Sequence, residues 1–173
     1  MKQIVHFKRE EVFRERAALV VAKHTERIKN GLQKASVIHV GSTAIEGSLT
    51  KGDVDLQVRI PIEEFDHAKS FLLKHYTINT GSTQTSFFCA FEDEEDLLPL
   101  GLQLTAEGSE LDHFWKVKAY FVAYPCEVIQ YNELKLMFEG KDMETYRHAK
   151  SLYMRRILTS KEYREFEKRL GER

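Results

Sequence analysis

The chain has 173 residues, 42% apolar and 31% charged, with a formal net charge of −1. That make-up fits one ordinary soluble globular domain and argues against a strongly electrostatic nucleic-acid binder, whose footprint is a basic surface. No apolar run reaches membrane-spanning length, and Lys8, Arg9, Glu10 and Glu11 stand where a secretory signal would need apolar residues. Cys89 and Cys126 lie far apart without metal-ligand spacing, so neither a disulfide framework nor a zinc site is expected. These features together predict a cytosolic protein.

A first helix is predicted from about Arg9 to Lys34, with Phe13, Ala17, Val20, Val21, His24, Ile28 and Leu32 at helical spacing. His24 on that stripe could serve as a ligand, but a hydrogen-bonded core histidine is the favoured reading. Val37-Ile38-His39-Val40 is a short β-branched run that ends at Gly41, and a turn or short helix follows to Leu49, with Ser42 or Thr43 as its cap. A second strand runs from Asp53 to Ile60 and stops at Pro61. A helix over about Ile62 to His75 comes next, then strands at Tyr76 to Thr80, Gln84 to Phe91 and Leu97 to Thr105. The acidic run Glu92 to Asp96 reads as a solvated connection. Helices fill the remainder: one opening at Ser109 to Asp112, one beginning at Pro125, one capped by Asp142, and a charged one opened by Thr159 to Glu162.

Chemistry concentrates between Gly41 and Gln57. Alternate strand residues share a face, which puts Asp53, Asp55 and Gln57 together and sends Val54, Leu56, Val58 and Ile60 to the other side. Adjacent carboxylates repel and gain nothing from burial without a cation, and Mg²⁺ prefers hard oxygens shared with substrate phosphates. Gly41-Ser42 offers backbone N–H groups and a hydroxyl that can approach a phosphate closely.

Gly41-Ser42, ten intervening residues and Asp53-Val54-Asp55-Leu56 resemble the signature of the polymerase-β-type nucleotidyltransferase superfamily. The fuller string from His39 to Gly47, with Lys51 and Asp55, is similar more narrowly to the GrpB-like family within it. The similarity continues thinly at Trp115, Tyr120, Tyr131 to Lys135 and Tyr146-x-x-x-Lys150-Ser151.

The resemblance implies an α+β fold: a polymerase-β-like core with a mixed sheet and flanking helices over 1–107, and C-terminal helices over 108–173 packed on it. It also implies a nucleoside triphosphate bound with Mg²⁺ or Mn²⁺, the metal held by Asp53 and Asp55 with Gln103 in the third-ligand position. Gly41, Ser42, Thr43, Lys51 and Lys150 would contact the nucleotide. Lys116, Lys118 and Arg147 are further basic residues able to close over it.

This chain departs from the pattern in informative places. Gln103 stands where active members of the superfamily carry a third acid, and nothing in the sequence places Glu92 to Asp96 or Glu107 there instead. Glu46 replaces a frequent proline, and Lys118-Ala119 replaces Arg-Asp. The expected function is therefore triphosphate and Mg²⁺ binding, with nucleotidyl transfer to an unknown acceptor. The alternative is a non-catalytic nucleotide-binding or interaction module on the same fold. Another metal-dependent phosphoryl-transfer chemistry ranks third, and no Gly-x-x-x-x-Gly-Lys-Ser/Thr loop supports a kinase.

Overall fold

The computed structural model describes residues 3–171. Five strands form one mixed sheet: β2 (Ser36–Val40), β4 (Val54–Ile60), β5 (Thr77–Ile78), β6 (Phe88–Asp93) and β7 (Leu100–Ala106), in spatial order β2-β4-β7-β6-β5. Only the central pair β4 and β7 is parallel; the other neighbours are antiparallel. Two short strands, β1 (Lys8–Arg9) and β3 (Leu49–Thr50), pair separately.

That small ribbon corrects the predicted start of the first helix. Lys8 and Arg9 pair with Thr50 and Leu49, and Glu10–Val12 wind as a 3-10 turn, so α1 spans only Arg14–Gly31. The chain after Gly41 is likewise a single 3-10 turn, Ser42–Ala44. The predicted helix over 62–75 shortens to a 3-10 turn and α2 (Phe65–Leu72). The strand predicted over Gln84 to Phe91 shifts to β6, which absorbs Glu92 and Asp93 from the supposed connection.

Period-two patterning decides what each sheet face does. Val54, Leu56 and Val58 of β4 line up with Leu100, Leu102 and Leu104 of β7 and with Phe91 and Cys89 of β6. This face is buried against Ala17, Val20 and Ile28 of α1 and Phe65, Ala68 and Leu72 of α2, forming the main core. The opposite face carries Asp55, Gln57, Gly101 and Gln103.

The C-terminal helices α3 (Phe114–Ala123), α4 (Pro125–Met137), α5 (Met143–Thr159) and α6 (Lys161–Gly171) follow. Asp112 does not cap a helix as its spacing suggested. Its buried carboxylate accepts two hydrogen bonds from Arg59, both 2.7 Å, and others from Gln57 and the Gly108 N–H. Gln57 also accepts from the Trp115 N–H at 2.9 Å, so α3 is fastened to the polar face of the sheet. Asp142 accepts from the Thr145 N–H, as its capping position predicted. The last helix is capped one residue later than the Thr159-to-Glu162 spacing suggested, Ser160 accepting from the Tyr163 N–H while the Thr159 hydroxyl donates to the Arg155 carbonyl. Val5 exchanges backbone bonds with Gly140 and Lys141, tying the start of the chain to the α4–α5 connection. Among the described residues no helix is long and apolar enough to cross a membrane.

His24 behaves as a core histidine. It is fully buried, with Nδ1 2.8 Å from the Tyr76 hydroxyl and Nε2 2.6 Å from Asp96 Oδ2, and burial pushes its pKa down. Lys23 also donates to Asp96, and that contact with the Leu97 N–H and His24 holds the Asp96 carboxyl well below the usual range. Asp96→Asn is expected to cost about 2 kcal/mol near neutral pH, since it leaves the Lys23 ammonium and the buried His24 ring without their carboxylate partner. The depressed folded-state pKa means this contribution is complete above the ordinary carboxylate range and lost as pH falls below it. Urea denaturation of both proteins should show the gap closing in acid.

Candidate active site

The polar face of the sheet opens between β4, β7 and the C-terminal helices. Asp55 sits in β4 opposite Val40 on one side and Gly101 on the other. A Cβ on Gly41 would fall 2.5 Å from Asp55 Oδ2, and one on Gly101 would fall 2.8 Å from Oδ1. Two glycines from neighbouring segments thus leave the space that this one carboxylate occupies. Gly41 has a second reason to be glycine, its φ of 75°.

Asp53 stands just before β4, and its carboxylate pairs with Lys51 at 3.1 Å. The two acids are pushed apart electrostatically. Burial and then the neighbouring Asp53 raise Asp55, to about 6. Burial acts the same way on Asp53, but Lys51 and Lys150 outweigh it and leave that carboxyl below its usual range. Gln103 donates from Nε2 to Asp55 Oδ1 at 3.2 Å, while its buried Oε1 has no hydrogen-bond partner among the described residues.

Thr43 takes a different role from the one predicted. His39 Nε2–H donates to Thr43 Oγ1 at 3.0 Å, and that hydroxyl donates to the Asp53 carbonyl at 3.1 Å. Burial, with Lys118 nearby, lowers His39 to about 4, so the ring is neutral at ordinary pH. Thr43 therefore pins the Gly-Ser turn to the start of the acidic strand, and its side chain is not in the cavity wall.

The other predicted residues come together. Gly41, Ser42, Lys51, Asp53, Asp55, Gln103 and Lys150 all line one cavity of about 290 Å³ between the sheet and the helices α3, α4 and α5. Lys118 reaches it too, whereas Lys116 pairs with Glu167 and Arg147 with Glu144. Lys150 remains exposed at its mouth; burial lowers its ammonium, but Tyr146, Asp55 and Asp53 more than reverse that.

Sequence reasoning missed Lys135 as a site residue. Its ammonium donates to Ser42 Oγ at 2.7 Å and to the Leu49 carbonyl at 2.5 Å, and lies 4.1 Å from the Tyr131 ring centroid. Asn132, one turn earlier, accepts from the Leu49 N–H and donates to the Gly47 carbonyl, so α4 clamps the whole turn. The signal was a repeated Tyr-x-x-x-Lys. Tyr131 and Lys135 on α4 and Tyr146 and Lys150 on α5 are i, i+4 pairs, and both pairs line the cavity.

Residues 14–160 match the profile of the family described as GrpB protein. The chain belongs to the GrpB family. A UPF0157 protein of Vibrio cholerae is 31% identical over 130 residues, covering 73% of this chain and 68% of that one. The crystal structure of the family member GrpB from Enterococcus faecalis matches with a TM-score of 0.64 at 17% identity, over 90% of this chain and 94% of that one. The Cid1 poly(U) polymerase, solved with MgGTP bound, matches with a TM-score of 0.54 at 10% identity, over 74% of this chain and 42% of that one. The GrpB-family chain therefore has the α+β fold of polymerase-β-type nucleotidyltransferases.

Proposed function

We propose that this protein binds a nucleoside triphosphate together with Mg²⁺ or Mn²⁺ and transfers its nucleotidyl group to an acceptor. The observation that carries this is the Asp55 carboxylate fitted between Gly41 and Gly101, beside Asp53, at the edge of a cavity supplied with lysines. Those residues suit a hard divalent cation. Both acids offer oxygen donors, their mutual repulsion is relieved by positive charge, and the unpartnered Gln103 Oε1 lies beside them. When bound, such a cation neutralises triphosphate charge and eases departure of pyrophosphate.

The chain's own residues do the holding. Lys118, Lys135 and Lys150 bring positive charge to one cavity, and Ser42, which accepts from Lys135, still has its own hydroxyl proton to give to a phosphate oxygen. Calorimetric titration with ATP and with GTP, with and without Mg²⁺, tests the reading. Binding should require Mg²⁺ and weaken at least about tenfold in Asp55→Asn. Equal affinity in every condition would refute it.

A second reading, binding without catalysis, is favoured by Gln103. An amide neither offsets metal charge nor accepts a proton from an attacking hydroxyl, and general-base help is worth about 10²–10⁴-fold. Gln103→Glu is accordingly expected to raise pyrophosphate release from a slow wild-type rate. Efficient wild-type turnover indifferent to Gln103→Ala would show that another residue completes the site.

A further inference from the structure

A second cavity, of about 460 Å³, meets the first at Lys51, Asp53, Asp55 and Gln103 and extends the other way, over Gly101 toward β6. The sheet register explains why space exists there. Asp55, Gly101 and Glu92 lie side by side on β4, β7 and β6, all on the polar face. With strands roughly 4.8 Å apart, two carboxylate-bearing positions are separated by about 10 Å with no side chain between them. The buried, unpartnered Gln103 Oε1 stands next to this gap.

The two cavities have opposite electrostatic character. Beyond the shared residues, the first receives Lys118, Lys135 and Lys150. The second receives Glu92, Glu94, His6 and Arg147. Its basic side chains already have partners: the His6 ring with Glu139 at 2.7 Å, Arg147 with Glu144 at 2.5 Å, and Lys51 with Asp53 at 3.1 Å. Among the described residues neither Glu92 nor Glu94 has a side-chain ion pair or hydrogen bond to satisfy its charge.

We infer that the second cavity binds the acceptor, and that the acceptor is a small hydroxyl compound carrying a protonated amine, held by Glu92 and Glu94. This rests on the function proposed above, which assigns the lysine-bearing cavity to the triphosphate. Two free carboxylates at the far wall attract an ammonium and repel a phosphate, so a nucleic-acid end fits this side poorly. An uncharged polyol of the same size would gain no charge attraction from Glu92 and Glu94.

The test uses the full chain, ¹⁵N-labelled and loaded with Mg²⁺ and α,β-methylene ATP, with nucleotide binding measured by calorimetry on the same samples. D-glucosamine, D-glucose, D-glucose 6-phosphate and a hexauridylate are titrated while the Gly101 and Asn79 amides are followed. Glucosamine should shift both amides saturably, at least about tenfold more tightly than glucose, and the two anionic probes should not compete. Glu92→Gln combined with Glu94→Gln should weaken glucosamine about tenfold, with a dispersed spectrum and unchanged triphosphate affinity. Equal response to glucose, preference for either anionic probe, no response at these amides, or indifference of the double variant would each overturn the inference. Failure of triphosphate binding with glucosamine binding intact would count against the proposed function instead.

Discussion

Lys135→Met is expected to weaken triphosphate binding at least about tenfold while leaving the protein as stable as the wild type or more so. Lys135 is 1% exposed, and among the described residues its ammonium contacts the Ser42 hydroxyl and the Leu49 carbonyl rather than a carboxylate. Burial above all, with Lys150 and Lys51 adding to it and Asp53 opposing, brings its pKa down to about 7. Measured against an ordinary lysine, that shift represents a few kcal/mol of stability given up at neutral pH, at about 1.36 kcal/mol per unit. Methionine has similar length and removes this cost, although Ser42 Oγ and the Leu49 carbonyl lose a donor, at about 1–3 kcal/mol each. The two effects offset, so thermal denaturation should show a melting temperature within a few degrees of wild type or higher. A buried cation kept at a cost to stability is expected where a ligand supplies the missing anion.

The same residue gives a pH signature. A bound triphosphate favours the protonated amine, so its pKa is higher in the complex than in the free protein. Affinity is then greatest below about 7 and falls as pH rises from there toward the value in the complex. Lys135→Met should flatten that part of the profile. A variant that loses stability but keeps wild-type affinity and pH dependence would make Lys135 a structural residue only.

Gly101→Ala should separate fold from metal binding. Glycine in a strand interior is usually less stable than alanine by about 0.5–1 kcal/mol, and Gly101 is not among the positive-φ glycines. The backbone should therefore accept the change. The methyl carbon, however, would lie 2.8 Å from Asp55 Oδ1 and 3.4 Å from Gln103 Nε2, so the carboxylate has to move. Displacing a ligating group by an ångström or so is worth on the order of 100-fold. The expected result is an unchanged or raised melting temperature with Mg²⁺-dependent triphosphate affinity down by about that factor. Gly47→Ala is the control, because it carries positive-φ strain with no atom within 4 Å of the added carbon. If Gly101→Ala binds like wild type, Asp55 does not need the position the structure gives it.

Local patterning made the centre of the site legible. Alternation from Val54 to Ile60 assigned the faces of β4, and Gly41-Ser42 before it marked the approach to the carboxylates. What escaped depends on pairing between distant segments. Glu92 belongs to an acidic run that reads as solvated, yet β6 places it opposite Gly101. Asp112 has cap-like spacing, but a better partner, Arg59, waits 53 positions away in β4. Thr43 was read as a cap or phosphate contact because its role depends on the Asp53 carbonyl across the turn. The i, i+4 Tyr–Lys pairs were visible in sequence, but only helix packing shows that both face one cavity. His24 shows a further trap: with Asp93 and Asp96 it forms a group whose ligand atoms lie within 4.8 Å of one another, His24 being supplied by α1, the helix that covers the sheet face opposite Asp55. There Lys23 already neutralises Asp96, so the arrangement is explained as an ion pair without a metal.

The central claim is that Asp53 and Asp55 hold a divalent cation against a triphosphate. Electron paramagnetic resonance of Mn²⁺ tests it most directly, because free and protein-bound ion are distinguished without any turnover. Wild type with α,β-methylene ATP should sequester Mn²⁺ in a complex with both protein and nucleotide, and Asp53→Asn and Asp55→Asn should each release it while remaining folded. Asp55→Asn should melt at or above the wild type, and Asp53→Asn somewhat below it for loss of the Lys51 pair. Mn²⁺ held equally by wild type and both variants would contradict the account.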